Sequence, residues 1–590
     1  MNLNVRVNRQ LLSSRRTFLR LAALGSAGTL LAACQPAAPA PAATTAPAAP
    51  TAAPKPAATT APAAPAATTA PAATTAPAAA ATTAPAVAKP GTTSATVAWQ
   101  TKPTGFYTLQ YIAQALSTTF WDKLLTVSDD YGLQPRLAEK WETAPDGKSV
   151  TFSLRKGVKW SDGTPLTAKD VAFTFKSTMD ARTAGLPGPT SIIKGYQDFR
   201  DGKIDNPPGL VVVDDNTFRL DFDTPNAGFV PSISFLGFQI LPAHILGSVD
   251  PKELSKHPYF LNPTVASGPY KYVRYETDQF VELERNPNFW GPPAKLERVF
   301  IRFASTDISA GQVEKGEILH SIVSATDAAR LQKVPGVKVA NKPGAGIWVM
   351  AAAVDQPKLA DKRVRQAMVY GIDREGIVKQ VLNGFGRVVN NHIIGPDWAI
   401  NPDLNKYPYN PDKAKQLLAD AKWDKTTPVK IQWTPGNRDI DTTLGIVQGQ
   451  LQAVGINIEL NPLERGPILE NITKRTLDLS AYNGGVYTVD PDSTSYVLMG
   501  QFAQPKGANN SAYANPEVDR LYLEGRAATT QADRAKAYKA AAAIMNDEVP
   551  HVWLYVQDTL SAYSDKLDGY KPHGDANSTY WNLNEWSVRA

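Results

Sequence analysis

Cys34 has the most distinctive chemistry in the chain, because it is the only cysteine among 590 residues. It closes the run Leu31-Ala32-Ala33-Cys34. Small residues before a lone cysteine let an extended chain enter a narrow peptidase site, and this run resembles a bacterial lipobox, in which the cysteine becomes the lipidated N-terminus. Several acyl chains on one residue, each buried methylene contributing about 0.8 kcal/mol, would hold a protein on a membrane. A solitary cysteine also excludes a disulfide framework within the chain. Upstream, Ser14-Arg15-Arg16-Thr17-Phe18-Leu19 resembles the twin-arginine export signal. The apolar stretch that follows, residues 21–33, is shorter than the ~20 residues of a bilayer span. Together these predict an export signal peptide over 1–33, with Arg15 and Arg16 as export determinants and Cys34 as the lipidation site. An ordinary Sec signal that happens to carry two arginines is the alternative.

Chemistry of the catalytic kind is thinly represented. The six histidines, at 244, 257, 320, 392, 551 and 573, show no pair at metal-ligand spacing, so no metal is expected. No Gly-x-Ser-x-Gly, P-loop or His-Glu-x-x-His sequence is present, and no cofactor is implied. Carboxylates are plentiful, which leaves a glycosidase-type pair open, yet no constellation demands turnover. What remains is the chemistry of recognition, with aromatic faces and a few convergent polar groups. The chain has 12 tryptophans and 21 tyrosines. Trp433 ends a strand pattern directly before Thr434-Pro435-Gly436-Asn437. Ligands tend to sit at the carboxyl ends of parallel strands, so Trp433 reads either as a ligand contact or as core.

The elements that must position such residues begin after a long spacer. Residues 35–90 are almost wholly Ala, Pro and Thr, with no aliphatic or aromatic side chain larger than Ala before Val87. No core can form there, and frequent prolines favour extended conformations. Residues 34–95 are therefore expected to be a disordered stalk. Beyond it, Val150, Phe152 and Leu154 alternate as in a strand. Thr167 with Asp170 suggests an approximate capping box. Residues 210–222 read as a hairpin around Asp214-Asp215-Asn216. Asp361 opens a helix through Gly371, and Asp373 caps another through Leu382 that Gly384 ends. Asn410-Pro411 begins a further helix. Ala535, Tyr538, Ala542 and Met545 share one face before Pro550. The clearest unit lies at 429–460. Val429, Ile431 and Trp433 alternate, Leu444, Val447, Leu451 and Val454 recur at helical spacing, Gly455 stops the helix, and Ile456, Ile458 and Leu460 alternate again. Strand, helix, strand within ~30 residues is a βαβ unit with parallel strands. The body is α/β.

Charge excludes one class of partner. Five arginines before residue 34 and two stalk lysines account for more than the whole formal excess of +6. The body is near neutral and carries no electrostatic footprint for nucleic acid.

The stretch 137–175, LAEKWETAPDGKSVTFSLRKGVKWSDGTPLTAKDVAFTF, resembles the family-5 extracellular solute-binding proteins. SGPYKYVRY, LERNPNFWG, DKRVRQAMVYGIDREGIV, NPDKAKQLLADA and QLQAVGINIEL follow in the same order. These blocks read first as scaffold: a turn at 162–165, strand ends at 268–269 and 285–287, and a helix through 364–366. The resemblance implies a periplasmic-binding-protein-like fold of type II, similar to cluster C, with two α/β lobes closing over a ligand and an extra subdomain. The expected division is 96–134, 263–342 and 550–590 for lobe I, 135–262 for the subdomain and 343–549 for lobe II. It implies a monomeric receptor, not an enzyme, that is extracytoplasmic and anchored to the cell membrane through Cys34, in the periplasmic space or at the cell surface. The receptor would hand a peptide-like solute to the permease subunits of an ABC importer. An oligosaccharide receptor, a lipid-anchored secreted hydrolase and a structural lipoprotein are the alternatives.

Residues 482–492 resemble the family's cleft loop, and glycines there let backbone approach a ligand. Tyr482, Gly485, Tyr487 and Asp490 are accordingly candidate ligand contacts, although Asp490 also reads as a turn cap. Phe106, Tyr107 and Trp121 join them from the first loop and helix of the body. Two positions depart from the family pattern. Tyr487 stands where peptide receptors often carry an acid that pairs with the ligand's α-ammonium, and Ala353 stands where Asn is usual. Both leave room for an oligosaccharide or a modified peptide.

Overall fold

The computed structural model describes residues 93–110, 114–185, 188–235, 238–484, 489–504 and 507–589. The export signal with Arg15 and Arg16, Cys34 and the stalk as far as residue 92 lie outside them; the expected end of the stalk at 95 moves back, because Ser94 and Ala95 open the first strand and pair with Arg298 and Val299.

Two hydrophobic cores organise the described residues. One gathers Ala95, Val97, Trp121, Phe152, Phe175, Phe218, Val281, Ile301 and Trp586. It lies under a four-stranded sheet ordered Ser94–Trp99, Arg298–Phe303, Phe280–Arg285, Tyr270–Glu276. The first pair is parallel and the others antiparallel. The expected subdomain shares this core. Its antiparallel sheet runs Ala138–Thr143, Ser149–Leu154, Thr217–Asp221, Leu210–Asp214. The helix Ala168–Met179 packs on that sheet and begins in the expected capping box, with Thr167 and Asp170 each bonding the other's backbone.

The second core lies about a six-stranded sheet ordered Gly386–Arg387, His551–Gln557, Ile347–Ala352, Leu479–Gly484, Pro428–Trp433, Asn457–Pro462. The expected βαβ unit is present, with Pro428–Trp433 and Asn457–Pro462 parallel and in register. The helix Arg438–Val454 joins them, and Leu444, Val447, Leu451 and Val454 face inward. Gly455 ends it with φ +101°, which glycine adopts without strain. Asp361 and Asn410 cap their helices as expected. The helix capped by Asp373 stops at Gln380, short of Leu382.

Between the cores lies a three-stranded sheet of His320–Ile322, Thr559–Ser564 and Val337–Lys342. The chain passes from this sheet into the six-stranded sheet at 342–347 and returns to it at 557–559. Two expected boundaries move accordingly. The 551–557 strand lies inside the lobe II sheet, because its apolar residues complete that sheet beside 347–352. Residues 310–331 contribute Ala310, Val313, Ala328 and Leu331 to the lobe II core. Among the described residues, no helix is long and apolar enough to cross a membrane.

Candidate functional site

The carboxyl end of the 428–433 strand carries Trp433, as the strand pattern requires. Its indole is 6% exposed, and Nε1 donates to Asp441 Oδ1 at 2.7 Å. Asp441 also accepts from Gly436 N at 3.1 Å, so one carboxylate fixes both the indole and the turn behind it. Asn437 then caps the following helix through Asp439 N and Ile440 N. Trp433 stands at the carboxyl end of a parallel strand, with most of its surface against protein.

Tyr482 projects from the 479–484 strand opposite Val349, and its hydroxyl is buried without a hydrogen-bond partner. On the same face of the sheet stand Trp553 and His551, which pair with Val349 and Ala351. Trp553 Nε1 donates to His392 Nδ1 at 3.0 Å. His392 therefore carries its proton on Nε2, which donates to His551 Nδ1 at 2.8 Å. His551 in turn is protonated on Nε2, and that N–H has no partner. Burial pushes the His551 imidazole down to about 3. Burial, with His551 second, pushes His392 well below its usual range. This is a neutral polar strip, and neither ring is a proton carrier at neutral pH.

Asp490 is held by the protein itself. Its Oδ1 accepts from Asp492 N at 2.9 Å, the turn cap that the sequence suggests. Both of its oxygens accept from Arg534, at 2.9 and 2.8 Å. Burial raises this carboxyl, and the Arg534 charge opposes the rise. Asp492 accepts from Arg526 Nε at 3.0 Å and from the Tyr538 hydroxyl at 3.3 Å. Asp490 is thus given to Arg534 rather than offered to a ligand ammonium. Gly485 and Tyr487 lie outside the described residues.

The three candidates from the start of the body are packed inside lobe I. Phe106 is 1% exposed and meets Phe120 edge-on at 5.3 Å. The Tyr107 hydroxyl donates to Thr183 O, and its ring meets Phe260 edge-on at 4.8 Å. Trp121 is fully buried, and Nε1 donates to Tyr259 Oη and Val265 O, both at 3.0 Å. Their aromatic character serves the core, and the structure does not bring them beside Trp433.

Sequence reasoning missed the cations that matter most here. Arg526 and Arg534 lie in the helices Pro516–Ala527 and Gln531–Glu548. Nothing nearby in sequence shows that Arg534 faces Asp490, which is 44 positions away. Arg365 is similar: its guanidinium donates to the carbonyls of Leu359, Ala360, Glu548 and Val549. It thereby closes the end of the Gln531–Glu548 helix and performs no ligand chemistry. No group of three or more metal-ligating side chains is assembled among the described residues.

The oligopeptide-binding protein AppA of Bacillus subtilis (strain 168) is 26% identical over 505 residues, covering 82% of this chain and 90% of AppA. A dipeptide-binding protein of Escherichia coli (strain K12) is 27% identical over 464 residues, covering 74% of this chain and 83% of its own length. The structure of Bacillus subtilis AppA with a nonapeptide superposes with a TM-score of 0.74 at 23% identity, covering 84% of this chain and 99% of that one. The family profile of the bacterial extracellular solute-binding proteins, family 5 (middle), matches residues 132–505. The chain therefore belongs to the family-5 bacterial extracellular solute-binding proteins, with their two-lobed α/β fold.

Proposed function

We propose that this protein is the receptor of an ABC importer, a lipid-anchored extracytoplasmic monomer that captures a peptide-like solute between its lobes and presents it to the permease. The observation that carries this reading is mechanical. Two hydrophobic cores, each about its own main sheet, support two lobes that close on a solute. The relatives named for oligopeptide and dipeptide binding support a peptide as the cargo. Native mass spectrometry of the purified protein tests it directly: a co-purified solute at 1:1 stoichiometry is expected. Titration with short peptides should change tryptophan fluorescence without consuming them. Time-dependent loss of the peptide would instead establish a hydrolase.

One observation favours a narrower class of cargo. Asp490 and Asp492 are both engaged by arginines, so neither is free to receive an ammonium, whose burial without a carboxylate is costly. A solute lacking a free amino terminus, either an N-blocked peptide or an oligosaccharide, fits that arrangement. Paired titrations with free and N-acetylated peptides separate it from ordinary peptides.

A further inference from the structure

The loop 225–229 belongs to the lobe I side. Asn226 N donates to Gly147 O at 3.0 Å, and the Phe229 ring packs on Phe222 at 4.8 Å. Yet its middle touches lobe II. Ala227 N donates to Arg526 O at 3.1 Å. Arg526 lies in the last turn of the helix Pro516–Ala527, where carbonyls have no partner within the helix. Each group supplies what the other lacks, so both leave water without loss. One residue on, a Cβ added to Gly228 would lie 3.0 Å from Asp492 Cβ, 3.1 Å from Asp490 Oδ1 and 3.4 Å from Asp492 Oδ2. Its three nearest neighbours all belong to the other lobe. The acids beneath are neutralised by Arg534 and Arg526. A bare carboxylate pair would repel the carbonyls of an approaching loop, whereas this platform does not.

We propose that the 225–229 loop and the platform of Asp490, Asp492 and Arg526 form a clasp that holds the lobes closed around the solute, with Gly228 as the residue that permits closure. This rests on the receptor reading and adds a positioning residue to it. The three atoms nearest a Cβ at 228 are all on the lobe II side, so a larger side chain there should shift the equilibrium toward the open form while leaving each lobe intact.

The test compares full-length wild type with Gly228→Ala and Gly228→Val, using hydrogen exchange, small-angle scattering and native mass spectrometry on the proteins as purified. In the wild type the Ala227 amide should be protected. In Gly228→Val it should exchange at least about tenfold faster, and the radius of gyration should rise. The strands 149–154 and 428–433 should keep their protection, and Gly228→Ala should fall between the two proteins. Three results would overturn the clasp: an Ala227 amide in the wild type that exchanges like an open loop, a Val variant unchanged in both scattering and exchange, or a Val variant that loses strand protection, since the atoms nearest the new side chain are on lobe II. Failure of the receptor reading would look different, with no co-purified solute in the wild type while the exchange pattern stands.

Discussion

Gly344 and Gln557 pass so closely, where the chain enters and leaves the six-stranded sheet, that a Cβ on Gly344 would overlap the Gln557 carbonyl oxygen. The two passages are thus in backbone contact just past the paired residues Lys342 and Thr559. Glycine is required here for close approach. Gly344→Ala must push the passages apart and should destabilise the protein by roughly 1–3 kcal/mol, as overpacking does. The measurement is the urea midpoint. A midpoint equal to that of the wild type would show that the passages separate freely.

The buried pair of Asp490 and Arg534 gives a second expectation. Arg534→Met should cost about 3–5 kcal/mol, because it leaves a carboxylate buried without its partner. Adding Asp490→Asn should recover part of that loss, since a neutral amide has no charge to bury yet can still cap Asp492 N. Urea unfolding of the single and double variants checks both signs. A double variant less stable than Arg534→Met would mean that the carboxylate has a further partner.

Acid should weaken the fold through its buried histidines. His320 is fully buried among Tyr570, Trp586 and Tyr580, at 4.6, 5.2 and 6.1 Å, and neither ring nitrogen has a partner. Burial pushes its imidazole down to about 3. The unfolded value is about 6.5, so below that pH the unfolded chain binds protons that the folded protein refuses. Stability is then lost progressively as pH falls from about 6.5 toward 3, and His320 contributes no pH dependence above that window. His320→Phe should be tolerated at pH 7.5. At pH 4.5 it should retain on the order of 2 kcal/mol that the wild type loses. Parallel losses in the two proteins would remove His320 from this role.

How much of this was legible in the sequence depended on the range of the interaction. Features encoded over a few residues were readable: the Thr167–Asp170 capping box, the Asn410-Pro411 start and the 428–462 unit. Each rests on periodicity or on a cap within one turn. Pairings across the fold left no local trace. Arg534 in an alanine-rich helix gives no sign of Asp490, and His392 gives none of His551, which is 159 positions away. Aromatic candidates were ambiguous for a physical reason. The same rings that stack on a ligand also fill a core, and Phe106, Tyr107 and Trp121 are placed in the core of lobe I by packing with Phe120, Phe260 and Tyr259. The close approach of Gly344 to Gln557 is a property of two segments more than two hundred residues apart.

Trp433 offers a way to separate support from contact. Its indole N–H bonds Asp441, which also holds the Gly436 turn. Trp433→Phe keeps an aromatic ring in the site and removes one hydrogen bond, so a cost of about 1 kcal/mol is expected. Gly436 still holds Asp441, so the turn should survive and the co-purified solute should be retained in native mass spectra. Trp433→Ala removes the ring as well, which typically costs about 3–5 kcal/mol and opens a cavity at the strand end. That variant should lose the solute together with stability. The decisive comparison is the solute-bound fraction against the urea midpoint. If Trp433→Phe is as stable as the wild type yet empty, the indole touches the solute directly and Asp441 serves to orient it. If both variants lose solute only in proportion to stability, Trp433 acts by holding the carboxyl edge of the sheet in place.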